Sequence, residues 1–424
     1  MKLVTAFEHG WLSIGPAGDL TSVEADALGA AEHLLPRSCL EWGRNRVKFR
    51  QFCGVVQVQQ LLQVEILPKV FPHQTPEQQR TTLINMLDIT GDIQGLSAQQ
   101  AGLGTNSHRL LDIFIRHFLQ LLEVQLQQGL LRDYRNVEDT LEQVRGQIDI
   151  VRQLRENLLK PQRLACRFNE LVADIPVNRL LHTALLCMVN LTNAPGLRQQ
   201  IHSIRARFNG IGTIQQGDHL PCTDDLNRMQ RRYASVLELA RLFIQGQYLD
   251  ARAGQQQVYS LLFDMNQLFE RYVAANLRPA ARPLGLRMLL QGPRRYLSQD
   301  SAGKNRLLMR PDITLLDAFD HPLFILDAKW KLLSSGNPLA SLSPADLYQL
   351  SVYASTYRCK QVMLLYPEQA DFRSEFQMTL NLEHPVTLTV VAMPLLAQAS
   401  SLRARLSQLI SSMHSLTSKA EIQG

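Results

Sequence analysis

The chain has 424 residues, 45% of them hydrophobic, so it is long enough to bury substantial cores and to form two or three domains. Its net charge of +6 permits a nucleic-acid partner, but only 19% of the residues are charged, so we expect the basic surface to be local. No apolar run is long enough to cross a bilayer, and the first ten residues lack the apolar core of a signal peptide. We therefore expect a soluble, cytoplasmic protein with no membrane partner.

Residues 1–74 are predicted to form a small β-rich module. Val55–Val58 and Leu62–Val70 are rich in branched apolar residues on either side of a polar turn. Before them, cations alternate with other residues, so that on a strand they would share one face: Arg44, Arg46, Lys48 and Arg50. This face is a candidate contact for nucleic acid or for an acidic protein partner. An edge strand protected from aggregation by its charges explains the pattern equally well.

Residues 75–255 are predicted to be a helical scaffold. The segment Leu110–Leu122 has apolar residues at helical spacing and is typical of this region. Asp174, Asn178 and Arg179 suggest a polar site, but a helix that starts near Pro176 explains them more simply.

Residues 256–424 contain alternating helix and strand patterns. We predict, in chain order, a helix at Leu261–Val273, a strand at Leu286–Leu290, a hairpin, a helix at Asp346–Ala354 and a strand at Gln361–Tyr366. A last strand, Val386–Met393, and a helix after Pro394 would follow. This order resembles that of the restriction-endonuclease fold, and the resemblance implies an α/β core with a mixed sheet. The predicted fold class is therefore α+β and multidomain.

The segment that leads into the hairpin is strongly basic. Between residues 278 and 310 the chain has eight basic residues and one acidic residue, Asp300. The basic residues are Arg278, Arg282, Arg287, Arg294, Arg295, Lys304, Arg306 and Arg310. Such a segment suits a phosphate backbone, which it would bind without reading sequence. The five cations from Arg294 onward are the candidate DNA ligands; a solvated basic loop is the alternative.

The hairpin itself carries two carboxylates and a lysine. Side chains alternate along a strand, so Asp327 and Lys329 share a face, and Asp312 lies near the start of the partner strand. Two aspartates can hold Mg²⁺, or Mn²⁺ in its place, and leave positions for water and a phosphate oxygen. The metal would polarise the phosphate while Lys329 orients the water or neutralises developing charge. The alternative is a structural hairpin whose end carries solvated charges.

Pro311-Asp312 followed by Asp327-Ala328-Lys329 resembles the motif of the PD-(D/E)xK nuclease superfamily. The resemblance implies that Glu270, on the preceding helix, is a third metal ligand, although an ordinary flanking carboxylate is as good an explanation. Gln349 and Tyr353, one helical turn apart, resemble the Gln-xxx-Tyr element of RecB-like nucleases. This resemblance implies that Gln349 supports the catalytic site and that Tyr353 touches DNA, while helix packing alone would also explain the tyrosine.

Segments spread over about residues 40 to 366 resemble the McrC family, the nuclease subunits of McrBC-type modification-dependent restriction systems. The segments that carry this resemblance are Val64–Val70, Met86–Asp92, Gly129–Tyr134, Val144–Asp149, Asp174–Leu181 and Leu262–Val273. The resemblance implies an anti-phage endonuclease that cuts modified double-stranded DNA and stimulates a separate McrB-like AAA+ GTPase ring. The first and middle regions would dock on that ring, with the cationic strand face as a candidate contact.

Two other site types are not indicated. The six cysteines form no CxxC pair and no zinc spacing, which favours reduced thiols. No GxxxxGK[ST] motif occurs, so we expect the chain to bind no nucleotide itself. Two alternative functions remain at this point: a non-catalytic, DNA-binding activator of a ring NTPase, and a RecB-like nuclease that acts alone.

Overall fold

The computed structural model describes residues 1–69, 75–97, 109–160, 162–215, 217–250, 256–333, 341–369, 372–373, 375–396 and 399–422. The chain divides into two compact units. One combines the described residues of Met1–Ser107 with those of Leu249–Gly424, and the other spans His108–Tyr248. In the part of the chain that is described, no helix is both long and apolar enough to span a bilayer. The three-region division expected from the sequence stays a prediction.

A five-stranded sheet forms the first layer of the larger unit. Its strands, in spatial order, are β1 (Lys2–Phe7), β6 (Leu62–Leu67), β5 (Phe52–Val58), β11 (Gln256–Asp264) and β10 (Gln247–Asp250). The central strands β5 and β6 are buried along their whole length. A Cβ added at Gly54 would come within 2.0 Å of the Leu261 carbonyl oxygen, so the close approach of β11 to β5 requires glycine there.

The predicted helix at Leu261–Val273 has the wrong start. Leu261–Asp264 is the end of β11, and the helix begins at Met265. Asp264 caps it, because its side chain accepts hydrogen bonds from the backbone N–H groups of Asn266 and Gln267. Pairing with β5 buries the apolar residues that the sequence pattern had assigned to the first helical turn.

A smaller antiparallel sheet contains the predicted cationic strand. Its strands are β2 (Trp11–Ser13), β4 (Arg46–Phe49) and β3 (Leu40–Gly43), and helix α1 (Ser22–Ala30) belongs to the same module. Arg46 and Lys48 lie on β4, whereas Arg44 lies in the turn before it and Arg50 follows it. Val47 and Phe49, on the other face, are fully buried, so the predicted alternation is confirmed over β4.

The smaller unit is mainly helical. Its helices are α3 (Leu110–Leu126), α4 (Ile150–Glu156), α5 (Pro176–Leu191), α6 (Pro195–Arg205) and α7 (Ala234–Gln245). Pro176 does start a helix, and Asp174 forms an ion pair with Arg179 beside it, with an Oδ2-to-guanidinium distance of 2.6 Å. The unit also contains a three-stranded sheet that was not predicted: β7 (Asp133–Leu141), β9 (Leu164–Val172) and β8 (Gln147–Ile148). Most of β7 is exposed, so it lacks the apolar alternation that identifies a strand.

A six-stranded mixed sheet forms the C-terminal core, as predicted. Its spatial order is β12 (Arg287–Leu290), β15 (Ile313–Leu316), β16 (Pro322–Ala328), β17 (Gln361–Pro367), β19 (Val386–Met393) and β18 (Phe376–Leu380). Strands β16, β17 and β19 are parallel, and the others pair antiparallel. The accompanying helices are α2 (Pro76–Thr90), α8 (Met265–Ala281), α9 (Pro344–Tyr357) and α10 (Ala399–Ile422). Helices α8 and α9 both contact β16, which brings residues from two helices to the end of the hairpin.

Candidate active site

The carboxylates of the hairpin meet at one end of β15 and β16. Ile313 pairs with Leu326, so Asp312, immediately before β15, lies opposite Asp327. The Ala328 N–H donates to Asp312 Oδ2 at 3.1 Å, which fixes this carboxylate against the end of β16. The convergence of Asp312, Asp327 and Lys329 expected from strand alternation is present in the structure.

Asp327 has the surroundings of a ligand rather than of a structural carboxylate. The residue is 1% exposed, and its Oδ1 accepts no hydrogen bond from any described residue. Its Oδ2 lies 2.6 Å from Lys329 Nζ. A buried carboxylate oxygen without a donor is costly unless a cation or another donor satisfies it. This orphaned oxygen therefore fits a bound metal.

Three acidic side chains repel one another here. Burial, and then the neighbouring carboxylates, raises the pKa of Asp312 and of Asp327 to about 6. Burial also raises the pKa of Glu270, against the effect of a hydrogen bond that its Oε1 accepts from Gln291 Nε2. A divalent cation would relieve both the burial of these charges and their repulsion.

The donor set suits Mg²⁺ better than a metal that takes all of its ligands from the protein. Among the described residues, no three His, Cys, Asp or Glu side chains are grouped closely enough to hold an ion by themselves. Mg²⁺ is commonly bound through one or two carboxylates and keeps water and substrate phosphate as its other ligands. Asp312 and Asp327 meet that requirement, and the role of Glu270 as a third ligand stays a prediction.

Lys329 is held by both a carboxylate and an amide. Burial disfavours its charged form, but Asp327, Asp312 and Asp346 together outweigh this effect and raise the pKa of Lys329. Its Nζ donates to Gln349 Oε1 at 3.2 Å, and Gln349 Nε2 donates to the Tyr353 hydroxyl at 3.1 Å. Helix α9 thus brings the predicted pair Gln349 and Tyr353 to the site. Tyr353 is only 8% exposed, so the structure gives it a contact that supports Gln349, and a direct contact with DNA stays a prediction.

For the DNA cleavage and metal binding expected from the sequence, replacing Gln349 by alanine should slow the first without preventing the second. The substitution removes one of the two partners of Lys329 Nζ but leaves the paired carboxylates in place. We expect kcat to fall by about tenfold, the usual effect of losing a group that orients a catalytic side chain. Steady-state cleavage and Mg²⁺ titration of the same preparation check this. Loss of Mg²⁺ binding in the variant would contradict the supporting role.

Deprotonation of the two aspartates should destabilise the metal-free protein. Because their folded-state pKa lies above the ordinary value of 3.8, the folded chain holds these protons more tightly than the unfolded chain. Their contribution to stability is present below about pH 4 and is lost as the pH rises through about 6. Thermal unfolding in EDTA should show a falling Tm across this window, and a smaller fall for Asp327→Asn. Equal pH dependence in both proteins would contradict this assignment.

The basic segment forms a separate hairpin that runs into the site. Its strands are β13 (Arg295–Gln299) and β14 (Asn305–Met309), and Asp312 follows β14 by three residues. All five basic candidate DNA ligands, from Arg294 to Arg310, are exposed. Two of them have protein partners, since Arg295 donates to the Thr356 carbonyl at 2.6 Å and Arg306 pairs with Asp300 at 2.8 Å. The charge of Arg310, like that of Lys329, opposes the rise in the pKa of Asp312 that burial causes.

The predicted partner-binding cations are less free than the sequence suggested. Arg46 and Lys48 lie 4.1 and 4.4 Å from the centroid of the Trp11 ring. Glu41, on the neighbouring strand, pairs with Lys48 at 2.9 Å and with Arg50 at 3.5 Å. The net charge of this face is therefore lower than the four cations alone imply, and its contact with a partner stays a prediction.

One site residue was missed by the sequence analysis. Gln291, in the turn after β12, donates its side-chain amide to Glu270 and its backbone N–H to the Asp312 carbonyl at 2.9 Å. It therefore connects the helix that carries Glu270 with the hairpin. A glutamine in a turn carries no sequence signal for such a role.

A family model and solved structures match this chain. Residues 47–367 match the family model described as McrBC 5-methylcytosine restriction system component. The fold is similar to that of a chain in the half-complex of the tetradecameric Thermococcus gammatolerans assembly of McrB AAA+ hexamers with bound McrC. The TM-score is 0.73 at 21% identity, over 96% of this chain and 100% of that chain.

A second similar structure is a chain of the Thermococcus gammatolerans McrBC complex. Here the TM-score is 0.52 at 24% identity, over 66% of this chain and 88% of that chain. At such identities these likenesses show the fold alone. A comparison with curated proteins finds no match.

Proposed function

Because the chain belongs to the family of McrBC 5-methylcytosine restriction system components, we propose that it is the McrC-type endonuclease subunit of such a system. It would hydrolyse phosphodiester bonds of modified double-stranded DNA with Mg²⁺. The single observation that carries the proposal is the buried Asp327 carboxylate, which has one orphaned oxygen and lies beside Asp312 and Lys329. In a hairpin with only a structural role, a buried carboxylate oxygen without a partner would lower stability and give nothing in return.

Each part of the site has a role in this reaction. Asp312 and Asp327, with Glu270 as a third candidate, would hold Mg²⁺. When bound, the ion supplies Lewis-acid stabilisation of the phosphate and of the leaving oxygen. Lys329, held by Asp327 and Gln349, orients the attacking water or neutralises charge that develops on the phosphate. The exposed cations of the β13–β14 hairpin bind the backbone of the DNA beside the site.

The partner in this proposal is an McrB-like AAA+ GTPase ring. A similar solved assembly contains McrB AAA+ hexamers with bound McrC, and this chain aligns with all of one of its chains. The ring would recognise the modified DNA, and the present chain would stimulate its GTPase activity and cut. The cationic residues Arg44, Arg46, Lys48 and Arg50 are a candidate contact with the ring.

Cleavage assays with and without the ring test the proposal. The purified chain is incubated with methylated or unmethylated DNA, in Mg²⁺ or in EDTA. Each mixture is prepared with and without the McrB-like GTPase ring and GTP. We expect cleavage only of methylated DNA in the complete mixture with Mg²⁺. Cleavage by the chain alone would favour a stand-alone RecB-like nuclease. Stimulated GTPase activity without any cleavage would favour a non-catalytic activator.

A further inference from the structure

A buried glutamate links the first strand of the chain to the residue that follows the candidate catalytic lysine. Glu8, immediately after β1, is 3% exposed. Its Oε1 accepts one hydrogen bond from Trp330 Nε1 at 2.8 Å and one from the Lys69 N–H at 3.1 Å. Its Oε2 is buried and has no partner among the described residues. The contact joins positions 322 residues apart within the larger unit.

Trp330 lies between two elements that carry site residues. It follows Lys329 in the chain, and its ring packs on Phe269 with the centroids 5.4 Å apart. Phe269 precedes Glu270 on α8. The indole is therefore next to Lys329 in the chain and in contact with the residue that precedes Glu270.

The Trp330 side chain is largely buried, at 8% exposed, but one side of it borders open space. The indole borders a cleft of about 330 Å³ that is also lined by Glu8, His9, Lys69, Lys331, Leu332 and Pro367. A side chain beside open space can change its rotamer unless a directional contact holds it. Here that contact is the hydrogen bond from Trp330 Nε1 to Glu8.

Burying a glutamate at this position costs free energy. Burial raises the pKa of Glu8 to about 7, although the hydrogen bonds from Trp330 and Lys69 pull it down. An apolar side chain of similar volume would avoid this penalty. The carboxylate instead gains two hydrogen bonds, from the Lys69 N–H and from the indole, and the second of these reaches the residue next to Lys329.

We propose that Glu8 is a positioning residue of the nuclease site, which fixes Lys329 and Glu270 in their working orientations through Trp330. The inference rests on the proposed function. Its effect is on geometry, because Glu8 touches neither the carboxylate pair nor the DNA-binding hairpin. The Lys329 backbone keeps its own hydrogen bond to the Leu365 carbonyl at 2.9 Å, so loss of Glu8 reduces the rate without dismantling the site.

Substitutions at both ends of the hydrogen bond test this inference, in the full chain with its ring partner. Glu8→Leu and Trp330→Phe should each lower kcat by about tenfold and leave the KM for DNA unchanged. The double variant should be no slower than either single variant, because both remove the same contact. Glu8→Gln keeps an oxygen acceptor for the indole and should restore kcat. If Glu8→Leu does not fold, Trp330→Phe still carries the test.

Glu24→Ala is the matched control. Glu24 is another buried glutamate of the N-terminal module, where it caps α1 and pairs with Lys2. Its loss should lower stability but not kcat per folded molecule. A wild-type kcat in Glu8→Leu, or an equal loss of kcat in Glu24→Ala, would overturn the positioning role.

Mg²⁺ titration separates failure of this inference from failure of the proposed function. The titration midpoint is the Mg²⁺ concentration that gives half of the maximal rise in Tm. This midpoint should be several-fold higher in Glu8→Leu, because Glu270 is displaced there. In Glu8→Gln, where Glu270 is not displaced, the midpoint should equal that of the wild type. This measurement needs no cleavage. Absence of DNA cleavage by the wild type would contradict the proposed function. An unchanged titration midpoint in Glu8→Leu would instead contradict the positioning role.

Discussion

Replacing Asp327 by asparagine should abolish DNA cleavage while the chain still folds and still stimulates the GTPase activity of its partner. Asparagine has nearly the same shape but lacks the charge that a metal requires. Losing this charge should cost several kcal/mol of transition-state stabilisation, which corresponds to a rate loss of at least about 10³-fold. The experiment compares cleavage and GTP hydrolysis for the same preparations of wild type and variant.

The same substitution should not reduce stability. Burial penalises the ionised form of Asp327, so its neutral isostere should be at least as stable as wild type at about pH 8 in EDTA. Asp320→Asn is the matched control, because Asp320 lies on the same hairpin but is exposed and pairs with Arg287. This control should cut at the wild-type rate. Wild-type cleavage by Asp327→Asn, or joint loss of cleavage and GTPase stimulation, would mean that the hairpin is structural.

Replacing Lys329 by methionine should remove cleavage and preserve metal binding. The ammonium group is positioned by Asp327 and Gln349, and its charge is the feature that methionine lacks. We expect kcat to fall by about 10² to 10³-fold, the scale for one electrostatic group that acts in the transition state. Mg²⁺ should bind at least as tightly, because a nearby positive charge has been removed. Rapid-quench cleavage and Mg²⁺ titration measure the two quantities.

Lys331→Met is the control for this variant. Lys331 follows Lys329 by two residues in the chain and pairs with Asp346 Oδ2 at 2.9 Å, rather than with Asp312 or Asp327. Its loss should leave cleavage nearly unchanged. An equal loss of rate in the two variants would show that general charge near the DNA, rather than the position of Lys329, limits the reaction.

The sequence predicted the parts of the site that depend on local chain geometry. Asp312, Asp327 and Lys329 are brought together by one hairpin, so strand alternation was enough to place them. Gln349 and Tyr353 are one helical turn apart, so their contact also followed from local spacing. Membership of the McrBC family, predicted from segments spread along the chain, is confirmed by the family match.

The contacts that the sequence did not predict join distant segments. Gln291 reaches Glu270, and Glu8 reaches Trp330, through pairings that no local pattern encodes. The end of β11 was interpreted as helix because its apolar residues fit either period until pairing with β5 is known. Trp11 and Glu41, on neighbouring strands, partly occupy the cationic face that was inferred from β4 alone.

Titration with Mn²⁺, followed by electron paramagnetic resonance of the free ion, is the most direct test of the central claim that this carboxylate pair is a metal site. Mn²⁺ accepts the same oxygen ligands as Mg²⁺ and gives a signal that decreases when the ion is bound. We predict saturable binding to the wild-type chain, loss of that binding in Asp327→Asn and its retention in Asp320→Asn. Absence of binding to the wild type, or equal binding to wild type and Asp327→Asn, would contradict the account.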